Sequence, residues 1–217
     1  MRFLGEHPEV AAVCGRRREL YPDSSLYNWL CDQEWARPPG EAVACGGDVL
    51  IRVGALNETG GYRPTLPAGE EPELCLRLRE RGWRIWRLDA EMTVHDARLT
   101  RFSQWWQRTA RGGRAYLEVS RLHRSSPLRI WRKETMRSIW WAGILPLVVA
   151  IGGLLSSYSF GLLLLYPSQI IRISLRRGAG RIKSWEFATF MMLAKFAEFQ
   201  GMIRYYLPLL QKRFSPH

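Results

Sequence analysis

The chain has 217 residues, enough for one domain of moderate size with a real core, and ten tryptophans among them. Lys and Arg exceed Asp and Glu by twelve. That balance suits nucleic acid, an anionic membrane face or a phosphorylated substrate, but the arginines are scattered through amphipathic segments and form no nucleic-acid motif, which sets the first partner aside. Cys14, Cys31, Cys45 and Cys75 stand far apart with no Cys-x-x-Cys pair, so they read as buried free thiols of a reducing compartment. Residues 1–6 lack the long apolar stretch of a signal peptide.

In chain order, a polar turn at His7-Pro8 leads into Val10-Ala11-Ala12-Val13-Cys14-Gly15, a short buried-strand pattern. Arg16, Arg17 and Arg18 follow, a solvated edge or a phosphate contact. Asp23, Ser24 or Ser25 can cap a helix that carries Leu26, Trp29 and Leu30, ends near Trp35 and is broken by Pro38-Pro39-Gly40. Glu41 to Val53 reads as one strand interrupted by Gly46-Gly47, where missing side chains let backbone approach another strand or a ligand. A short helix and turn fit Gly54 to Gly61, and residues 63–68 form a loop that delivers Glu70 and Glu71.

The stretch from Gly69 to Trp83 opens with acids crowded at a turn and becomes a helix with Leu74, Cys75 and Leu78 on one face. Gly82 stands where a helix end needs a left-handed residue, and Trp83 to Leu88 is strand-like. Acids at this place suit the helix dipole and its free N–H groups. Two adjacent carboxylates just before the first turn also suit a general base at the mouth of a sheet. Glu73 reads as a helix cap, and Asp89-Ala90-Glu91 as a turn between two strands. His95, alone after a strand, is by its residue type a structural or surface histidine. From Thr100 to about Arg121 the spacing of Phe102, Trp105, Trp106, Thr109 and Ala110 is helical, with Thr100 as cap and Arg108 and Arg111 on the same helix.

Composition changes at Pro127. Arg129, Arg132, Lys133 and Arg137 precede the uncharged apolar run Ile139 to Leu155, which with Ser138 and Ser156 reaches the length of a spanning helix. Ser156 to Ser159 is a polar turn, and a second, shorter run from Phe160 to Ile171 meets Arg172, Arg176, Arg177, Arg181 and Lys183. Basic residues on both outer flanks predict a hairpin that dips into or crosses the bilayer from its cytoplasmic face; a buried core hairpin is the alternative. Ser184 caps a last segment, Trp185 to Arg213, expected to lie in the membrane interface and to break near Gly201 and Pro208.

Taken in order, Gly46-Gly47-Asp48, the apolar strand after it, Gly60-Gly61-Tyr62, the pair Glu70-Glu71, then Leu74, Arg77-Leu78 and Gly82, resemble the acceptor-side half of a family-2 glycosyltransferase of the GT-A fold. The likeness covers roughly residues 5–120. It implies an α/β fold that is a partial, Rossmann-like GT-A half-domain (1–126) without the nucleotide-binding N-terminal half. A membrane hairpin (127–183) and an interfacial helix (184–217) follow. By the same resemblance Glu71 is the base, with Glu where Asp is more usual, and Glu70 supports the loop or the acceptor. Gly46, Gly47 and Asp48 line the acceptor pocket, Arg108 and Arg111 approach the donor diphosphate, and His95 completes a metal site or contacts the diphosphate. A divalent metal, Mg or Mn, is implied, but the family's Asp-x-Asp motif is missing from this chain.

The implied activity is inverting transfer from a nucleotide-sugar to a glycan or lipid-linked envelope acceptor, at the cell membrane with the catalytic part on the cytoplasmic side. It needs a donor half missing from this chain, which would then be either a truncated product or one part of a split enzyme whose donor half is a separate polypeptide. A non-catalytic, membrane-attached scaffold that keeps the remnant of such a fold is the other reading. Neither involves nucleic acid.

Overall fold

The apolar run at Val10 forms the central strand of a small mixed sheet. In a computed structural model, which describes the backbone of residues 2–214 and the side chains of residues 2–207, the chain divides into two units. The first takes the residues up to Trp105 together with Ser125–Ile130, and the second takes Trp106–Arg124 and the residues from Trp131 onward.

The first unit contains α1 (Arg2–Glu6), β1 (Val10–Glu19), α2 (Leu26–Trp35), β2 (Gly40–Ala42), β3 (Leu50–Ile51), α3 (Val53–Thr59), α4 (Glu70–Glu80) and β4 (Arg84–His95). The strand order is β2-β4-β1-β3, with β4 parallel to β1 and both short edge strands antiparallel to their neighbours. Successive side chains of a strand point to opposite faces, so β1 and β4 feed two cores. Cys14 and Ile85 join Leu74, Cys75 and Leu78 of α4 on one side, while Val13 joins Leu4 of α1 on the other, with Trp86 packed against them.

The predicted single strand from Glu41 to Val53 is instead two short strands on opposite edges of the sheet, joined by residues 43–49. The loop that carries Gly46-Gly47-Asp48 therefore passes from one edge to the other. The predicted turn at Asp89-Ala90-Glu91 is also absent, because β4 is one strand of 12 residues. Cys14 pairs with Arg87 but Arg16 with Glu91, so two extra residues of β4 form a bulge at this point. Gly15 makes room for it: a Cβ there would lie 2.5 Å from Met92 Cβ and 2.6 Å from Ala90 O. Glu19, buried near the end of β1, takes N–H groups from Asn28, Tyr21 and Ala97 at 3.0–3.2 Å, which ties the segment after β4 to α2.

Helix α4 begins at Gly69, whose φ of 87° is the left-handed region, and no side chain caps it. It ends as predicted at Gly82 (φ 87°), where the Trp83 N–H returns to Leu78 O at 3.2 Å and the Gly82 N–H to Arg79 O at 3.0 Å. Glu73 is no cap. Its carboxylate is wholly buried, bound by Arg77 Nη2 at 2.7 Å and Arg63 Nε at 3.2 Å. Arg77 continues to the carbonyls of Thr59 and Gly61, which tethers the turn after α3 to α4.

In the second unit, α6 (Arg132–Ile139), a π-helical turn (Trp140–Ile144) and α7 (Leu145–Leu155) form one continuous helix of 24 residues, long and apolar enough to cross a membrane. Pro146 explains the π turn. The Leu145 N–H bonds Trp140 O five residues back, and the next carbonyl, Trp141 O, faces a proline that has no N–H. Tyr166 Oη donates to Trp141 O at 2.6 Å and takes the missing donor's place. A 3₁₀ stretch (Ser157–Leu164) and α8 (Leu165–Arg177) return alongside, with Pro167 tolerated in the first turn of α8.

The last helix (Ile182–Phe214), α9, runs through Gly201 and Pro208 without the predicted break. Gly201 is a crossing point. A Cβ there would sit 1.8 Å from Ala110 O of α5 (Phe102–Leu122), and one at Gly113 would sit 2.2 Å from Glu198 O. Ala188, Met192, Ala194 and Ala197 are buried, so α9 is a packed helix on this face.

Two outcomes test these contacts. Arg77→Ala strands the buried Glu73 carboxylate and should cost about 3–5 kcal/mol in chemical unfolding; Arg77→Lys should recover little, since one ammonium cannot serve Glu73 and two carbonyls together. Gly201→Leu should force α5 and α9 apart and lower the melting temperature in detergent, whereas the same change at Gly180, where an added Cβ has open space, should not.

Candidate active site

Helix α4 sets the site. Its left-handed start at Gly69 puts Glu70 and Glu71 in the first turn, where the dipole favours carboxylates. The loop between β2 and β3 passes beside them: a Cβ on Gly47 would lie 3.2 Å from Glu71 Oε1, and one on Gly46 would lie 3.5 Å from Arg17 Nη2. What the paired glycines admit is thus the Glu71 carboxylate and the Arg17 guanidinium. Arg17 makes an ion pair with Asp48, both about one quarter exposed, and its guanidinium lies 5.4 Å from the Trp35 ring. Trp35 in turn meets His95 at 5.4 Å between ring centres.

The electrostatics of this cluster are specific. Burial, joined by the negative charges of Glu70 and Asp48, raises the Glu71 carboxyl above its ordinary pKa; its own backbone N–H and Arg17 oppose the rise without cancelling it. Partial burial, and then the charge of Glu71, raise the Tyr62 phenol above its ordinary pKa. Glu70 Oε2 is buried with no hydrogen-bond partner among the described residues, an acceptor in want of a donor. The site thus places Asp48 and Glu71 beside one guanidinium, with Glu70 next to Glu71.

Below the loop lie three thiols. The Cys45 N–H points at Cys75 Sγ at 3.4 Å, and the Cys14 thiol donates to Trp86 O at 3.9 Å. The neighbouring thiols of Cys14 and Cys75, and then burial, push the Cys45 thiol up, while the proximity of Cys45 brings Cys14 down to about 7. All four cysteines are free and buried. The cluster anchors the loop at Cys45, one residue before exposed Gly46.

Of the residues singled out in the sequence, Gly46, Gly47, Asp48, Glu70 and Glu71 come together. His95 is exposed at the far side of Trp35. Arg108 and Arg111 are on the part of α5 that belongs to the second unit. Among the described residues no group of three or more His, Cys, Asp or Glu side chains could hold a metal ion, so His95 and its neighbours do not fit a cation site on their own. Arg17, Trp35 and Tyr62 were missed as parts of the site. The run Arg16-Arg17-Arg18 signalled a charge cluster, but only the strand pleat selects the middle one, half-buried between two exposed neighbours.

No family model matches the chain. Over 94 residues it is 33% identical to the pre-mycofactocin glycosyltransferase of Mycobacterium tuberculosis, in both strain CDC 1551 / Oshkosh and strain ATCC 25618 / H37Rv. This chain is related to a glycosyltransferase. The match takes in 42% of this chain and 18% of those relatives, so the chain spans under one fifth of their length.

The raised Glu71 carboxyl has a consequence for stability. The fold disfavours its ionised form, so the contribution of this group is present below the ordinary carboxylate range and is lost as pH rises through the raised value. Glu71→Gln, which cannot ionise, should therefore melt above the parent at about pH 7, with the gap closing below about pH 4. Thermal unfolding in detergent at both pH values checks this.

Proposed function

We propose that this chain is the acceptor-side part of an inverting, family-2-like glycosyltransferase of the GT-A fold, attached to a membrane through its second unit. The observation that carries the reading is the Glu71 carboxyl, raised by burial beside Glu70 and faced by the bare backbone of Gly47, in a chain related to a glycosyltransferase. A carboxylate of raised pKa is a stronger base than a free one, which suits removal of a proton from an acceptor hydroxyl.

In this reading the acceptor enters beside the exposed Gly46-Gly47 backbone, against which Glu71 and Arg17 lie. Glu70 Oε2 accepts a hydrogen bond from one acceptor hydroxyl, and Glu71 takes the proton of the attacking hydroxyl. The oxygen attacks the anomeric carbon opposite the departing nucleoside diphosphate and inverts its configuration. Arg17 keeps Asp48 neutralised, so that only one acid of the cluster needs to gain a proton. The nucleotide-sugar is held by a donor half that the residues of this cluster do not supply. A divalent cation, Mg or Mn, would neutralise the leaving diphosphate when bound; the carboxylates described here do not assemble a site for it. The acceptor is a glycan or a lipid-linked envelope precursor, met at the membrane on its cytoplasmic side.

The test is transfer of labelled sugar from a panel of nucleotide-sugars into lipid and envelope fractions, in membranes carrying the parent or variant protein. Glu71→Gln should lower transfer by roughly 10²–10⁴-fold with acceptor affinity little changed, because the loss is felt in the transition state. Glu70→Gln should cost less. Equal transfer by parent and Glu71→Gln would reduce the acidic pair to a helix terminus.

A further inference from the structure

Charge is divided unevenly along the chain. Residues 1–120 hold seventeen basic and seventeen acidic side chains, whereas residues 121–185 hold eleven basic and one acidic, Glu134. Almost all of the excess therefore flanks the apolar hairpin, and the first unit has no surplus with which to attract a polyanion.

The hairpin's contacts run antiparallel. Trp141 meets Tyr166 at 5.7 Å between rings, and nearer the tip a Cβ on Gly152 would lie 2.6 Å from Ser159 Oγ. The start of the first leg and the end of the second consequently share one end. At that end Arg132, Lys133, Arg137, Arg172, Arg176 and Arg181 are exposed, and none makes an ion pair among the described residues. At the other end the tip is apolar and almost fully bare: Leu154 is 86%, Leu155 87% and Tyr158 92% exposed. From Ile139 to Leu155 the helix rises about 25 Å at 1.5 Å per residue, close to the thickness of a hydrocarbon layer.

We propose that the second unit seats on a bilayer rich in anionic phospholipid, with the hairpin entering the hydrocarbon tip first and those six cations holding lipid phosphates at its base. Unpaired guanidinium groups suit phosphate oxygens, and the adjoining apolar surface suits acyl chains; a nucleic acid would use the first and leave the second in water. The inference rests on the membrane reading of the Arg132–Leu155 helix and does not depend on glycosyl transfer.

The full chain, diluted out of detergent, is floated with vesicles of phosphatidylcholine or of phosphatidylcholine and phosphatidylglycerol in equal parts. Binding to the mixed vesicles should be tighter by about fivefold per engaged cation, and the preference should fall as salt rises. Arg172→Gln/Arg176→Gln/Arg181→Gln should lose roughly 100-fold on mixed vesicles and little on neutral ones. Leu154→Asp/Leu155→Asp should lose binding to both. Equal flotation of the parent with both vesicles at low salt leaves membrane attachment standing and overturns the headgroup preference. Flotation with neither removes the membrane reading and the proposal together. Displacement from mixed vesicles by duplex DNA would reassign the cations to nucleic acid.

Discussion

The ion pair between Glu73 and Arg77 is the constraint on which the first unit depends. A carboxylate with no exposed surface is tolerable only while its charge is met, and Arg77 meets it with a charge-assisted bond of 2.7 Å while Arg63 adds a second partner. The same guanidinium binds the carbonyls of Thr59 and Gly61. One side chain therefore fixes where α3 ends, how the Gly60-Gly61 turn leaves it, and at what rotation α4 begins. That rotation places Leu74, Cys75 and Leu78 against the sheet and directs Glu70 and Glu71 past the loop at Gly47.

The surroundings of Glu71 are costly by design of the fold. Asp48 and Glu71 share one guanidinium, one Glu70 oxygen is buried unpaired, and burial keeps the Glu71 proton on to higher pH than usual. A cluster that served stability alone would pair its charges, as Glu73 does a single turn away. The contrast between a fully paired acid at position 73, an unpaired oxygen at 70 and a carboxyl raised by burial at 71 is the physical ground for assigning structure to the first and chemistry to the others.

The second unit meets a different demand, since a helix apolar enough to enter a bilayer must satisfy its backbone internally. Pro146 removes one donor, the π turn shifts the defect to Trp141 O, and the returning leg supplies Tyr166 Oη to that carbonyl. The pairing of the two legs thus has a polar contact at its centre as well as apolar ones. Glycines at 113 and 201 let α5 and α9 cross at backbone distance, which accounts for an α9 that packs rather than breaks.

Much of this was legible in the sequence. Apolar periodicity and cap chemistry located β1, α2, α3, α4 and the long apolar helix, because the Ser25 hydroxyl and the left-handed Gly82 act on backbone within a few residues of themselves. The glycine pair at 46–47 and the acids at 70–71 stood out by residue type alone. What only the tertiary structure decided are the relations between residues far apart in the chain. Glu73 looks like any first-turn acid until Arg63 and Arg77 bury it; Asp89-Ala90 looks like a turn until Gly15 receives it as a bulge; Arg17 looks like a surface charge until it meets Asp48 and Trp35. Local pattern reports the backbone state of a residue and its apolar face. The partner of a buried charge, and hence the pKa of the acid beside it, is set by which strands pair and in what register, a long-range choice that no short window of sequence contains.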